Sequence, residues 1–522
     1  MASEERGDGY VSDLEYTWGF YRELAPTVLS WTAALAGYAA PDPGGAFNYL
    51  ELGCGNGLST NLFAAAHPAA NFWGVDFNPQ HVANAQAQAR KGDLTNVHFL
   101  ERSFADLRDE DLPALDFVTL HGVWSWISPE NRGLIQRFLE TRLKPGGIVY
   151  ISYNTLPGWG ALEPIRRLML DYSQSLAGST EQKVKKSLEY LKRLRELKVI
   201  GGDNTRVEKH LDDLLKANPA YVAHEYFNAD WWLFYFRDVA QDLSRLGLKW
   251  AGSAHLLGNE PSLRHGSTKK KLLEEIPDLE AREQMRDHFS NARFRRDVFV
   301  KGEPQAEAVW DPATNPALRR LLIGPRRGHP KLDAEVKVPA GTLSFKTEAE
   351  HEVFSSLQQA PQTVEAIFDA QWSHARTNAM ALTTIRRMIA TDQLRLWATP
   401  APKPVWDAKS KFSIPHPYNR ALIEDMFSGD AKKNLAVCVP LGSALTLGTR
   451  EAYILDALVE HGLHGAVGHV LRRLEKANKR IIVNDKPLQG RDEHLREMSA
   501  ELDRFKEGKI DELIRLGVLA AS

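Results

Sequence analysis

The chain has 522 residues, too many for one hydrophobic core, since single cores stop growing near ~250–300 residues, so two or three domains are expected. With 43% hydrophobic and 25% charged residues the composition is that of an ordinary soluble globular protein, and 65 basic against 67 acidic side chains leave a net charge of −2, without the basic excess of a dedicated nucleic-acid binder. Two widely separated cysteines, Cys54 and Cys438, argue against a disulfide framework or zinc site, and the lack of a signal-type leader or a run of ~18 apolar residues argues for a cytoplasmic protein with no membrane span and no metal.

Residues 1–45 form a lead-in, helical over 13–40, with Asp13 as a cap and Tyr16, Phe20 and Tyr21 at spacings that share a helix face. Pro41-Asp42-Pro43-Gly44-Gly45 breaks it. Strands are then expected at Phe47–Leu52, Asn71–Asp76, Val97–Glu101, Leu115–His121 and Ile148–Tyr153. Helices are expected at Leu58–Ala66, Pro79–Lys91 and Ser128–Thr141. Alternation of this kind means parallel strands covered by helices on both faces, and it defines a core over 46–160.

Residues 161–223 change character and become helical and charge-rich, as in Leu191-Lys192-Arg193-Leu194-Arg195-Glu196-Leu197. Such a run is read first as a solvated helix face and second as a partner or dimer contact. The α/β pattern resumes over 224–302, with an aromatic-rich helix at Asp230–Leu246 and strands at Gly247–Gly252 and Arg296–Val300. These are the last two strands of the same sheet, which makes 161–223 an insertion. The stretch 303–340, with Pro304, Pro312, Pro316, Pro325, Pro330 and Pro339, is the linker candidate. In the C-terminal region 341–522, helices at Glu348–Gln358, Thr363–Ala370 and Ala379–Ala390, then a strand at Gln393–Trp397, suit a winged-helix-like module.

Glu51-Leu52-Gly53-Cys54-Gly55-Asn56-Gly57 follows a strand and opens a helix, the context of a nucleotide-binding turn. The spacing is Gly-x-Gly-x-Gly, not the dinucleotide Gly-x-Gly-x-x-Gly, because the sixth position is Leu58. A pyrophosphate wants the helix N-terminus. S-adenosylmethionine has no phosphate, and acidic Glu51 suits its cationic end. Asp76, at the end of the second strand, is placed to accept ribose hydroxyls. Ser103 ends the third strand, where adenines sit, and all three sites lie at strand carboxyl ends, where open α/β sheets bind ligands.

Residues 47–152 resemble the class I adenosylmethionine-dependent methyltransferases. Several further segments resemble the subfamily that carries a methyltransferase regulatory domain. They are Tyr16-Thr17-Trp18-Gly19-Phe20-Tyr21, His121-Gly122-Val123-Trp124-Ser125-Trp126, Tyr153-Asn154-Thr155-Leu156-Pro157-Gly158-Trp159, His224-Glu225-Tyr226 and Phe294-Arg295-Arg296. Its best-understood members are bacterial lysine methyltransferases acting on outer-membrane proteins, with dimerisation, middle and C-terminal regions. The resemblance spans about 10–305 and is only architectural beyond 340. It implies a Rossmann-like seven-stranded α/β sheet with a helical insertion, and adenosylmethionine as cofactor. It implies a cofactor site of Tyr16, Tyr21, Glu51, Gly53, Cys54, Gly55, Gly57, Asp76, Phe77, Ser103, Phe104, His121 and Gly122. A protein substrate and a homodimer through the insertion come with it.

His121-Gly122-Val123-Trp124 replaces the Asn-Pro-Pro-aromatic segment of adenine methyltransferases, no Pro-Cys pair serves cytosine, and no paired carboxylates serve a catechol, so nucleic acid is not expected as the acceptor. Trp124, Trp126, Tyr153, Asn154, Trp159, His224, Glu225 and Tyr226 are the candidate lining residues. Trp124, Tyr153, Asn154, His224 and Glu225 are the catalytic candidates among them. Aromatic rings sheathe a lysine stem and attract its ammonium. His224, Glu225 or a tyrosine is the candidate proton acceptor. A small-molecule acceptor and a non-catalytic binding protein are the alternatives.

Overall fold

Strands buried on both faces read as near-continuous apolar runs, and the first of them, β1 (Asn48–Leu52), is buried from Tyr49 onward, with Glu51 its one acid. It is joined by β2 (Asn71–Asp76), β3 (Val97–Glu101), β4 (Leu115–Leu120), β5 (Leu143–Asn154), β6 (Leu248–Ser253) and β7 (Phe294–Lys301). The sheet order is β3-β2-β1-β4-β5-β7-β6. β1 to β5 are mutually parallel, and β7 runs antiparallel to both β5 and β6. The seven-stranded sheet is the expected one, and its last two strands return after the insertion. The computed structural model describes residues 18–326, 332–358, 360–483 and 486–522, so Asp13 and Tyr16 lie outside the described residues.

The continuous lead-in helix is not formed across Phe20 and Tyr21. Tyr21 is extended, a single 3-10 turn covers Arg22–Leu24, and α1 (Pro26–Leu35) starts anew. A residue before proline is pushed out of the helical region, and Ala25 sits at φ −61°, ψ 134°. Helices α2 (Leu58–Ala66), α3 (Pro79–Lys91) and α4 (Pro129–Arg142) flank the sheet. Prolines open the last two, and Asn78 and Ser128 cap them by accepting from backbone N–H groups.

The insertion folds as α5 (Glu163–Gln174), α6 (Thr180–Glu196), α7 (Thr205–Leu215) and α8 (Pro219–Tyr226) around its own apolar centre, which includes Met169, Val184, Leu191, Leu211 and Val222. The aromatic helix expected from Asp230 begins only at Phe236, as α9 (Phe236–Ser244). Before it, backbone groups are spent on the end of β5 instead of on a helix. Trp232 N–H donates to the Ser125 carbonyl at 2.8 Å, Phe234 N–H to Asn154 at 3.2 Å, and Leu156 N–H back to Phe234 at 2.9 Å. Between β6 and β7 lie α10 (Pro261–Arg264), α11 (Ser267–Glu274) and α12 (Leu279–Ser290).

The proline-rich stretch expected as a linker is built into the fold over its described residues, with Pro330 lying outside them. Pro312 and Pro316 occupy first helical positions, and strand Leu322–Pro325 is the centre of a three-stranded antiparallel sheet between Gln362–Thr363 and Leu394–Trp397. Helices at Glu348–Ser356, Val364–Asp369 and Asn378–Ala390 pack with it, in the expected order of three helices and a strand. The last quarter of the chain, from Trp397 on, has a separate apolar core. It also reaches α2 and α3, which flank the sheet. Tyr418, Leu422, Leu435, Val437 and Ala444 pack on Leu58, Leu62, Ala65 and Ala66 of α2. His67 Nε2 meets the Gly442 carbonyl at 2.9 Å, and Lys91 pairs with Asp425 at 2.9 Å.

Candidate active site

Gly53, Gly55 and Gly57 all have positive φ, at 70°, 53° and 67°. A Cβ on Gly53 would lie 2.5 Å from the Val123 side chain, and one on Gly57 only 2.4 Å from Ala85 Cβ. Backbone thus passes where no side chain fits, and the loop forms a small cradle lined by Gly19, Tyr21, Glu51, Gly53, Cys54, Gly55, Asn56, Leu58, Ser59 and His121. Of the expected cofactor residues, the structure brings Tyr21, Glu51, Gly53, Cys54, Gly55 and His121 into this cradle.

Glu51 is buried, accepts a hydrogen bond from the Thr60 hydroxyl, and is pushed up to about 7 by burial, with Asp76 adding to the rise. A buried carboxylate that is reluctant to ionise fits a ligand bringing a cation. Asp76, also buried, accepts from Gly55 N–H at 2.8 Å and Asn78 N–H at 3.0 Å, and His81 Nδ1 lies 3.2 Å away. It ties the glycine loop down through these hydrogen bonds. Phe77 follows it directly, and Phe104 packs partly buried against the apolar core beside β3. Ser103 is exposed and donates to Asp106 at 2.7 Å, so its hydroxyl is engaged locally.

A second cavity, of about 460 Å³, shares Tyr21 and His121 with the cradle. The two rings lie 3.8 Å apart between centroids, tilted by 32°. The His121 imidazole is held neutral, lowered to about 3 by burial and by Arg296, and its Nδ1 meets the Tyr150 hydroxyl at 2.8 Å. Gly122 also lines this cavity, and its N–H donates to Ser152 Oγ at 2.8 Å.

Alternation along β5 sorts the expected catalytic residues. Tyr150, Ser152 and Asn154 face His121, Gly122 and the cavity. Tyr153 points to the opposite face, where its hydroxyl donates to Asp297 at 2.6 Å inside the core. Trp124 is likewise a core residue on that face, at 1% exposure, and Trp126 lines the cavity in its place. Tyr153 and Trp124 are therefore corrected from site to core. Asn154, His224 and Glu225 do line the cavity, the last two on α8. Buried Asn154 leaves its Nδ2 without a partner among the described residues.

Four polar wall residues escaped the sequence reading: His210, Asp213, Tyr221 and Arg293. The first two lie on α7, whose buried face is Val207, His210, Leu211 and Leu214. A histidine inside an apolar stripe at helical spacing was the available signal. Arg293, just before β7, had none, because only the tertiary fold brings it there. Glu225 is pushed up to about 7 by its burial in the cavity wall.

Residues 50–149 match the family described as a methyltransferase domain, and residues 218–301 match the one described as a predicted methyltransferase regulatory domain. A protein of Synechocystis sp. is 31% identical over 518 residues, covering 98% of this chain and 99% of that one. The chain belongs to the class I adenosylmethionine-dependent methyltransferases that carry a methyltransferase regulatory domain. A protein of Rickettsia prowazekii is 30% identical to this methyltransferase over 293 residues, which is 54% of this chain and 51% of its relative. The fold matches that of PKMT2 from Rickettsia typhi in complex with AdoHcy, with a TM-score of 0.69 at 20% identity over 96% of this chain and all of that one. Adenosylmethionine is the methyl donor of this methyltransferase.

Glu51 gives the donor site a pH signature. Its raised value means that it is protonated in much of the free methyltransferase at and below pH 7, whereas a cationic ligand favours the carboxylate. Adenosylmethionine affinity is expected to rise as pH rises through about 7, with proton release on binding below that point. Calorimetry in buffers of different ionisation enthalpy measures both, and Glu51→Gln is expected to abolish the proton release.

Proposed function

We propose that this methyltransferase acts on the side-chain amine of lysine in a protein substrate. The observation that carries the reading is the aromatic and acidic cavity that adjoins the cofactor cradle, sharing Tyr21 and His121 with it. Trp126, Trp159, Tyr226 and Phe294 offer ring faces to an aliphatic stem and an ammonium head, and Asp213 and Glu225 offer negative charge. When bound, adenosylmethionine supplies the electrophilic methyl group. The cavity residues hold the amine in line and exclude water. A lysine must first lose a proton, which at pH 7 costs about 4.6 kcal/mol from a free value of ~10.4. Glu225, poised near neutrality, is the group we assign to receive it. The resemblance to lysine methyltransferases of bacterial outer-membrane proteins supports the same reading.

Because the ionised carboxylate is the form that takes the proton, methyl transfer is expected to climb as pH rises through about 7. Glu225→Gln is expected to remove that limb, leave a rise nearer the free lysine value of ~10.4, and slow transfer at pH 7 by about 100-fold or more. Incubation with methyl-labelled adenosylmethionine and a cell lysate tests the reading itself. Label is expected in protein, and label confined to small molecules would refute it.

A further inference from the structure

Three polar side chains of the acceptor cavity form a chain in which hydrogen-bond directions can be assigned. Arg293 Nη1 lies 3.3 Å from His210 Nδ1, and His210 Nε2 lies 3.0 Å from the Tyr226 hydroxyl. A guanidinium has donors and no acceptor. His210 Nδ1 must therefore be the bare, accepting nitrogen, and the ring's hydrogen must sit on Nε2. That hydrogen is donated to Tyr226, which spends a phenolic lone pair on it. The phenol's own hydrogen is then directed away from His210, and Tyr226 lines the cavity. The groups facing His210 are Arg293 and Tyr226, with Asp213 one turn on along α7 and Trp159 edge-on at 5.9 Å. Burial, with Arg293 adding to it, lowers the imidazole to about 4, so it stays neutral across the working range.

We propose that Arg293 and His210 are positioning residues that lock Tyr226 as a hydrogen-bond donor to the methyl-acceptor cavity, which bars Tyr226 from taking the acceptor's proton and leaves that step to Glu225. A phenol that keeps its own hydrogen, with one lone pair taken by His210 and that hydrogen directed away from the imidazole, orients a substrate as a donor and does not deprotonate it. The assignment rests on the proposed acceptor reading for its consequence, but not for the tautomer.

The test has two arms. The full chain is labelled with ¹⁵N-histidine, and the imidazole nitrogens are followed by NMR, with His210→Gln identifying the signals. The neutral Nε2–H form is expected to persist as pH falls through ~6.5, where free histidines titrate. Arg293→Gln is expected to free the tautomer and raise the titration point. An Nδ1–H tautomer, or titration near 6.5 in the parent protein, would overturn the proposal. In the kinetic arm, Tyr226→Phe and His210→Ala are each expected to lower kcat about tenfold, the loss of one hydrogen bond. The double variant is expected to be no slower than the slower single one, with the pH limb of the parent kept. Additive losses, or loss of the limb in Tyr226→Phe, would count against it. The NMR arm requires no methyl acceptor, so its result stands apart from whether that acceptor is lysine.

Discussion

Arg295→Leu is expected to destabilise the protein by about 3–5 kcal/mol, the typical cost of removing one partner from a buried charge set. Arg295 is 6% exposed on β7 and meets three carboxylates at once. It reaches Asp287 at 2.8 and 2.9 Å, Asp297 at 2.7 and 2.8 Å, and Glu283 at 3.0 Å. Arg286, at 2.6 Å from Glu283, is the second cation. Tyr153 and Trp250 each donate a further hydrogen bond to Asp297. The cluster therefore ties α12, β5, β6 and β7 together. Without Arg295, three buried acids would face one arginine. Asp287 is already pushed up to about 6 by burial even with Arg295 present. In the variant the folded state holds its acids at raised values, so it binds more protons than the unfolded chain, and its stability rises as pH falls. The deficit measured by denaturant unfolding is expected to be largest at pH 8 and to narrow as pH falls toward 6. A deficit below ~1 kcal/mol, or one that widens in acid, would contradict this picture.

Gly57→Val is expected to abolish adenosylmethionine binding. Gly57 caps α2 in the left-handed region, at φ 67° and ψ 18°. A β-branched residue there is strained, at about 1–3 kcal/mol. The added carbon also falls 2.4 Å from Ala85 Cβ and 2.8 Å from Phe99, both in the packed core between α3 and β3, an overlap costing about another 1–3 kcal/mol. The loop must move to relieve this, and Asp76 holds it by the hydrogen bond to Gly55. Since each 1.4 kcal/mol is tenfold in affinity, a loss of 100-fold or more is expected by calorimetry. The effect on global stability should be smaller than that of Arg295→Leu, because part of the strain is released by displacing the loop.

Local signals carried the sheet. Strands Asn71–Asp76 and Val97–Glu101 and helices Leu58–Ala66 and Pro79–Lys91 fall where apolar runs and caps put them. The glycine loop was legible because positive φ and a close Cβ environment demand glycine, whatever surrounds them. The acceptor side was not legible in the same way. Tyr153 and Asn154 are neighbours with opposite fates, and β5 alone does not reveal which parity faces the cavity. Trp124 and Trp126 pose the same ambiguity two residues apart within one 3-10 turn. Ala25 before Pro26 announced a break in the lead-in that aromatic spacing concealed. Segment 227–235 carries aromatics that resemble a helix face, yet its N–H groups bond to Ser125 and Asn154, distant in sequence. The docking of Tyr418 and Val437 on α2 is also a long-range event with no local trace.

The most direct test of the central claim is to identify the methylated group itself. Labelled protein from the lysate reaction, hydrolysed to amino acids and separated, is predicted to yield its label as methylated lysine, absent when Glu225→Gln replaces the parent at pH 7. Label released as a base-labile methyl ester, or recovered on any residue other than lysine, would contradict the account.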